Sequence, residues 1–389
     1  MLHWRRPFLP PFHASTHFAR GVTTVANSPS TTYSMATDDL EKALPIRQAG
    51  VSSQQDGPFD IVKTYQSLLS SDPEITMPVA AIESLIELLR ATSATTAMET
   101  VEVVKKEKAR LLDSAPNPLP LLAGADLFEQ YLLRSLRGQS AGDSHNNVPI
   151  LGFDETRQHL LNNKQLFYHR ARAARDNIAI RGAEYVNDGK VILTAGGSRI
   201  VTKVLLKAAE DPTKHFQVIY VMDGSARSED SVKTLRKAGI EVETIRPQTV
   251  AHVLGNNKKI NLVLVGTEVV TQNGGIISRM GTGQLAFLAK NVPGSAKRFL
   301  VAAETHKIVR KTPLVYPLVN RVGIRQRDPK KFRFVAAEER EQQQKEAGEV
   351  TLVEDDEVDY TDPEFIDGFV TEQGIKMPSN IWEMVDEYL

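Results

Sequence analysis

The chain has no cysteine among its 389 residues, which excludes disulfides, thiolate zinc sites, iron-sulfur clusters and thiol nucleophiles. It also lacks an excess of either charge: 47 Lys and Arg face 48 Asp and Glu, for a formal net charge of -1. Nucleic-acid-binding chains concentrate basic residues, so this balance predicts no direct nucleic-acid contact and favours a protein partner or a small molecule. No apolar run approaches the roughly 20 residues of a bilayer-spanning helix, and no membrane partner is expected. Of the nine histidines only His13 and His17 stand at helical spacing. They lie in a stretch without apolar periodicity, so no metal site is expected there.

What remains is 41% hydrophobic and 24% charged residues, the profile of a soluble globular protein with room for two ordinary domains. Residues 1–57 read as an extension outside the fold. Its first part, Met1 to Ser34, carries Arg5, Arg6 and Arg20, many Ser and Thr, and no acid, which is the composition of a mitochondrial transit peptide. A second methionine, Met35, then opens MATDDLEKAL, an acidic start typical of a cytosolic protein. The expected location is cytoplasmic, with mitochondrial import as the alternative.

From Phe59 to about Val186 the apolar residues recur at helical spacing, as in Ile61, Tyr65 and Leu68 or Ile82, Leu85, Ile86 and Leu89. Prolines 58, 73 and 78 and the cluster 116, 118 and 120 punctuate these helices. Asp154 to about Val186 reads as one long helix, and Gly138 to Val148 as a polar loop. This predicts a helical domain over 58–187. After Asp188 the period changes. Short β-rich runs at Val191 to Thr194, Gln217 to Val221, Glu241 to Ile245, Asn261 to Val265 and Phe299 to Ala303 alternate with helical stretches. Near-continuous apolar strands separated by helices predict a doubly wound, mostly parallel, Rossmann-like α/β domain over 188–389. A late strand near Phe365 to Val370, a terminal helix from Pro378 to Leu389 and a charged, solvated loop at 336–357 complete the expectation.

Ligands of open α/β sheets bind beyond the carboxyl ends of the strands, where helix N-termini present free amides. Three segments fall there. Thr194-Ala195-Gly196-Gly197-Ser198-Arg199 is a Gly-rich turn entering a helix, which suits either a phosphate cradle or a plain tight turn. After the fourth strand Thr267-Glu268, Asn273-Gly274-Gly275 and Arg279 bring a carboxylate, an amide and a guanidinium to one sheet edge. Glu304 and Lys307 follow the fifth strand as a further acid and base, or as a surface ion pair. The run Gly281 to Ala286 fits a loose dinucleotide fingerprint, but it follows a long loop and carries little weight.

Four segments, ILTAGGSR from Ile192, VGTEVVTQNGGIISRMGT from Val265, VAAETHKIVR from Val301 and VDYTDPEFIDGFVTEQGIKMPSNIWEMVDEYL from Val358, together resemble one family. That family unites the alpha, beta and delta subunits of translation initiation factor 2B with the isomerases of methylthioribose 1-phosphate and ribose 1,5-bisphosphate. LFYHRARAARDNIA from Leu166 extends the resemblance into the helical half. The modest length after Met35 and the ending EMVDEYL are similar to the alpha branch. That resemblance implies a regulatory subunit that dimerises with itself and works with the beta, delta, gamma and epsilon subunits. It also implies sensitivity to the phosphorylated alpha subunit of initiation factor 2.

In the isomerases of this family a cysteine and an aspartate move the proton. Those positions fall here on Gly196 and Glu268, so the resemblance implies a pocket without its catalytic pair. Thr194, Gly197, Ser198, Arg199, Glu268, Asn273, Arg279 and Lys307 then read as a vestigial sugar-phosphate pocket. A sugar phosphate or a nucleotide monophosphate is the implied ligand and no cofactor is needed. An active sugar-phosphate aldose-ketose isomerase with substituted groups is the alternative.

Overall fold

Strand residues of the second half alternate between two apolar cores, as a pleated sheet covered on both faces requires. Val191 and Leu193, Val263 and Val265, and Phe299 and Val301 enter one core. Their neighbours Ile192, Leu262, Leu264, Leu300 and Ala302 enter the other. The computed structural model describes residues 59–72, 74–92, 96–137, 158, 164–293, 297–310, 324–326 and 358–387, all within the unit Pro58–Leu389.

The helical half begins with α1 (Ile61–Ser71), α2 (Met77–Ala91), α3 (Ala97–Ser114) and α4 (Leu119–Arg137), followed by the longer α5 (Lys164–Ala183). The Asp60 carboxylate caps α1 by accepting from the Val62 amide at 3.1 Å, and the Thr96 hydroxyl caps α3 by accepting from the Glu99 amide at 3.2 Å. The apolar faces of α1 to α4 close over Ile61, Ile82, Leu85, Ile86, Leu111 and Phe128, all essentially buried.

The sheet half runs β1 (Val191–Ala195), α6 (Arg199–Ala209), β2 (Gln217–Val221), α7 (Ala226–Lys237), β3 (Glu241–Ile245), α8 (Val250–Asn256) and β4 (Ile260–Gly266). It continues with β5 (Val269–Val270), β6 (Ile276–Arg279), α9 (Thr282–Asn291), β7 (Arg298–Ala302), β8 (Val358–Thr361), β9 (Gly368–Thr371), β10 (Gly374–Lys376) and α10 (Ile381–Glu387). The main sheet has the order β10-β9-β7-β4-β1-β2-β3 and is parallel except for the antiparallel edge pair β9–β10. Helices α5, α6 and α7 cover one face and α8, α9 and α10 the other, which is the doubly wound arrangement predicted. The chain reverses direction across the sheet between β1 and β4, so the topological switch point lies between their carboxyl ends.

Two differences from the sequence reading have physical causes. A second, antiparallel sheet of order β5-β6-β8 was not foreseen, because its strands are only two to four residues long and show too little periodicity to register. It packs Val269, Ile277, Val358 and Tyr360 against Leu119 and Ala123 of α4, so it is the seat on which the helical half rests. The late strand starts at Gly368 rather than near Phe365, since Pro363–Phe365 form a 3-10 turn. The terminal helix likewise begins at Ile381 after a 3-10 turn at Pro378–Asn380. The expected extension 1–57, the polar loop 138–148 and the charged loop 336–357 lie outside the described residues, as does nearly all of 154–163.

Buried charges fasten the two halves together. Arg175 of α5 ion-pairs with Glu304 beyond β7 (3.2 Å) and with Glu74 before α2 (2.9 Å). The His306 imidazole nitrogen Nε2 lies 3.2 Å from the Thr76 hydroxyl, and burial holds its pKa down at about 4 against an ordinary 6.5. The unfolded chain therefore binds a proton at this site between those values while the folded chain does not, so His306 withdraws stability as pH falls from 6.5 toward 4. Asp359, whose burial raises its pKa to about 6, acts oppositely, and the difference between two proteins isolates the histidine. His306→Gln should lose less thermal stability than the natural chain over that interval, by an amount on the order of 1–3 kcal/mol. Unfolding midpoints recorded from pH 7.5 to 4.5 check this, and parallel curves would contradict it.

Candidate functional site

The turn after β1 is shaped by close approach. Gly196 and Gly197 both take positive φ, 82° and 62°, and a Cβ on Gly197 would stand 2.6 Å from the Arg227 Cβ. Ser198 caps α6 through its hydroxyl, which accepts from the Val201 amide at 3.5 Å. A Cβ on Gly266, at the end of β4, would collide with that hydroxyl at 2.0 Å. The two loops at the switch point thus pack directly on each other, which needs the glycine at 266, while Gly197 admits the close approach of Arg227. The Gly197 amide donates to the Tyr220 hydroxyl of β2 at 2.9 Å, so it serves the turn in this conformation.

Glu268 follows β4 immediately, and its amide donates to the Ile277 carbonyl across the β5–β6 hairpin at 3.1 Å. Its carboxylate accepts from the Asn117 side chain at 2.9 Å, while the Asn117 carbonyl oxygen accepts from the Leu119 amide at the start of α4. Burial raises the Glu268 pKa, against the Asn117 hydrogen bond and the positive charges of Arg227, Lys307 and Arg279. The same carboxylate adds to the burial that pushes up the Tyr65 hydroxyl of α1. The switch point is thereby roofed by the helical half.

Lys307 donates to the Thr267 carbonyl at 2.9 Å and ion-pairs with Glu304 at 2.8 Å. Burial alone would raise Glu304, but the charges of Lys307, His306 and Arg175 together hold it well below the ordinary carboxylate range. Arg199, on the first turn of α6, reaches back to the Ile75 carbonyl at 3.3 Å. Burial and the neighbouring Arg175 charge lower its pKa. Arg279 ends β6 and runs past Gly196, where a Cβ would lie 3.8 Å from its Cδ. Its Nε stands 3.7 Å from an Asp223 carboxylate oxygen beyond β2.

The structure therefore gathers Gly197, Ser198, Arg199, Glu268, Arg279 and Lys307 around the carboxyl ends of β1, β4 and β7. Thr194 is close by but buried within β1, in register with Tyr220, and supports the turn from below. Asn273 is not brought to the group. It sits at the tip of the hairpin, where its side-chain oxygen accepts from the Thr271 hydroxyl and the Gly275 amide and its amide donates to Tyr360. By hairpin register it is about four residues, roughly 13 Å, from the level of Arg279. Sequence reasoning missed Asn117, Arg175 and Asp223. Only Asp223 carried a readable signal, an acid two residues past the end of a parallel strand.

Beside the switch point, a small cleft of about 50 Å³ opens between the ends of β1 to β3 and helix α9. Arg279 and Asp223 stand on its polar side, with Pro247, Val250, Leu285 and Leu288 on its apolar side. Among the described residues no cluster of metal-ligating side chains occurs, and no helix is long and apolar enough to cross a membrane.

This geometry can be set beside known proteins. The chain is 24% identical to a translation initiation factor eIF2B subunit alpha of Dictyostelium discoideum, over 83% of this chain and 95% of that one. It is 29% identical to a ribose 1,5-bisphosphate isomerase of Methanocaldococcus jannaschii, over 61% of this chain and 71% of the isomerase. Its fold is similar to that of a chain in the tetrameric eIF2B beta2-delta2 complex of Chaetomium thermophilum, with a TM-score of 0.58, 17% identity, and coverage of 85% of this chain and 95% of that one. A profile of the Initiation factor 2 subunit family matches residues 70–378, and the chain belongs to that family.

Proposed function

We propose that this chain is a non-catalytic regulatory subunit of the guanine-nucleotide exchange factor for translation initiation factor 2. In this reading it dimerises to bridge two copies of the remaining complex, works with the beta, delta, gamma and epsilon subunits, and responds to phosphorylated initiation factor 2 alpha in the cytoplasm. Relatives that carry the name of the alpha subunit support the regulatory role, and a neighbour built of beta and delta subunits supports a partnership within that complex.

The observation that carries the reading is at Gly196. A proton shuttle between adjacent sugar carbons needs a titratable pair, and the turn that faces Arg279 offers only a glycine. The other member, Glu268, is tied to Asn117. What remains at the sheet edge are groups that hold rather than transfer: the capped turn, Arg279 and Lys307. They suit a phosphorylated small ligand that is bound without being converted.

Self-association has its own support. Met280, Phe287, Met377 and Trp382 are each half or more exposed, and all belong to the C-terminal elements around α9, β10 and α10. Phe287 is already braced edge-on against Phe365, with ring centroids 5.8 Å apart. A patch of exposed apolar side chains around a braced aromatic is suited to a two-fold interface.

Three outcomes are expected. Purified protein should show no isomerisation of ribose 1,5-bisphosphate or methylthioribose 1-phosphate above a heat-killed control, and steady turnover would favour the isomerase reading. Light scattering should report a dimer at micromolar concentration, and the double variant Phe287→Glu with Trp382→Glu should shift it to monomer. An unchanged dimer would move the interface elsewhere. Calorimetry should detect a sugar phosphate, with Arg279→Ala weakening it roughly ten- to over a hundredfold, the cost of removing a charged hydrogen bond. Equal affinity in both proteins would remove Arg279 from the site.

A further inference from the structure

The short segment between α1 and α2 meets the rest of the fold at successive residues. The Tyr168 hydroxyl of α5 donates to the Asp72 carboxylate. Glu74 pairs with Arg175 of α5 at 2.9 Å, the Ile75 carbonyl accepts from Arg199 of α6 at 3.3 Å, and the Thr76 hydroxyl stands 3.2 Å from His306 Nε2. Asp72 also orders the segment itself: its side chain accepts from the Glu74 amide at 2.8 Å and its carbonyl from the Ile75 amide at 3.2 Å. Through this segment the helical half grips α5, α6 and the sheet edge. Ser71, the last residue of α1, stands at its head and is exposed.

Carboxylates follow Ser71 at the first and third positions, Asp72 and Glu74, and in the whole sequence only Thr361 shares that arrangement, with Asp362 and Glu364. The fold separates the two hydroxyls. Thr361 is 1% exposed within β8 and closed to any enzyme. Beyond Ser71 the chain leaves the helix in extended conformation, with Asp72 at φ -132° and ψ 103°. Helix ends fray, so only the last turn of α1 has to open for the hydroxyl to enter another enzyme's active site. The Glu74 side chain stays 56% exposed while bound to Arg175. A hydroxyl followed by accessible carboxylates complements a basic substrate groove.

A phosphate on Ser71 would find no compensating charge in its own helix. The last turn of α1 has no basic residue, the helix dipole presents its negative end there, and the hydroxyl that now donates to the Leu68 carbonyl at 3.1 Å would be replaced by acceptor oxygens. The added charge of about -1.5 to -2 at pH 7 would also repel Asp72 and Glu74. The cations that the segment faces lie on α5: Arg175, and Arg172, whose charge acts on the Tyr168 hydroxyl. Drawn toward them, the phosphate competes with Glu74 instead of reinforcing it. Arg175 keeps Glu304 as its partner, so the fold loosens here without losing its buried pair.

We propose that Ser71 is a phosphorylation site for an acid-directed serine kinase, and that the phosphate loosens the segment between α1 and α2 and with it the grip of the helical half on α5. The step transfers the γ-phosphoryl group of ATP. The bond from the γ-phosphorus to the bridging oxygen breaks, a bond to Ser71 Oγ forms, the hydroxyl proton passes to the kinase's catalytic carboxylate, and ADP leaves. The effect does not depend on a ligand at the sheet edge.

The test treats the folded full chain with casein kinase II, ATP and magnesium. Mass spectrometry should place phosphate on Ser71 and none on Thr361. Ser71→Ala should abolish labelling at that position, and Ser70→Ala should keep it. In the phosphorylated chain the amides of Asp72, Glu74 and Ile75 should exchange with deuterium roughly two- to fivefold faster than in the untreated chain, as the loss of a helix-end interaction implies. Amides around the buried Phe128 should be unchanged. Ser71→Glu, which carries a single negative charge, should lower the unfolding midpoint by about 1–3 °C, and the neutral Ser71→Gln should leave it in place. If Ser71 takes no phosphate, or takes it with exchange at Glu74 and Ile75 unchanged or slower, the proposal falls. It falls equally if Thr361 is labelled as readily as Ser71, or if Ser71→Glu and Ser71→Gln unfold together.

Discussion

The charged chain Glu74, Arg175, Glu304, Lys307 is the constraint on which the rest of the structure hangs. Arg175 and Glu304 are almost wholly buried, and between them they tie a helix of the first half to the carboxyl edge of the sheet. Buried charges in this state hold each other in place: leaving either unpaired typically costs about 3–5 kcal/mol. That is comparable with the whole stability margin of a domain. Parting the two halves here would therefore leave a buried charge unpaired. Lys307, bound at once to Glu304 and to the Thr267 carbonyl, carries the fastening on to the loop that bears Glu268. The site is thus a property of both halves, although most of its residues come from one.

The same constraint explains how the short antiparallel sheet can exist. Strands of two and four residues have little stability alone, but β5, β6 and β8 lie between the main sheet and α4, where Val269, Ile277 and Val358 are out of water. Asp359 adds a second tie, accepting from the Gly281 and Gly283 amides at 2.8 and 3.0 Å. It thereby fixes the start of α9 just beyond Arg279. The direction in which Arg279 leaves β6 is set by these neighbours rather than by the hairpin's own sequence.

Much of the architecture was legible because burial on both faces forces near-continuous apolar runs. All five runs read from the sequence became parallel strands within a residue or so of the expected limits. The helices of the first half were legible through their 3.6-residue period and their prolines. What escaped were features that depend on distant parts of the chain. Arg175 meets Glu304 across 129 residues and Asn117 meets Glu268 across 151. Neither contact has any local signature. Asn273 was ambiguous for the opposite reason: an Asn-Gly pair suits a tight turn as well as a binding site, and its hydrogen bonds here brace the turn. Glycine-rich text after a first strand likewise marked the tight turn into α6. It could not say that the Gly197 amide would be turned toward Tyr220.

One consequence follows from the backbone at Gly196. At φ 82° this residue occupies a region that costs an L side chain roughly 1–2 kcal/mol, and the glycine beside it is locked by contact with Arg227. A thiol placed at Gly196 by a single substitution would strain the turn through its φ alone, since its Cβ would meet Arg279 only at an ordinary 3.8 Å. It would also still face a glutamate engaged with Asn117. A titratable pair across this edge would require the turn, the acid and the roof to change together. The backbone of this one turn thus sets a barrier that no single substitution crosses.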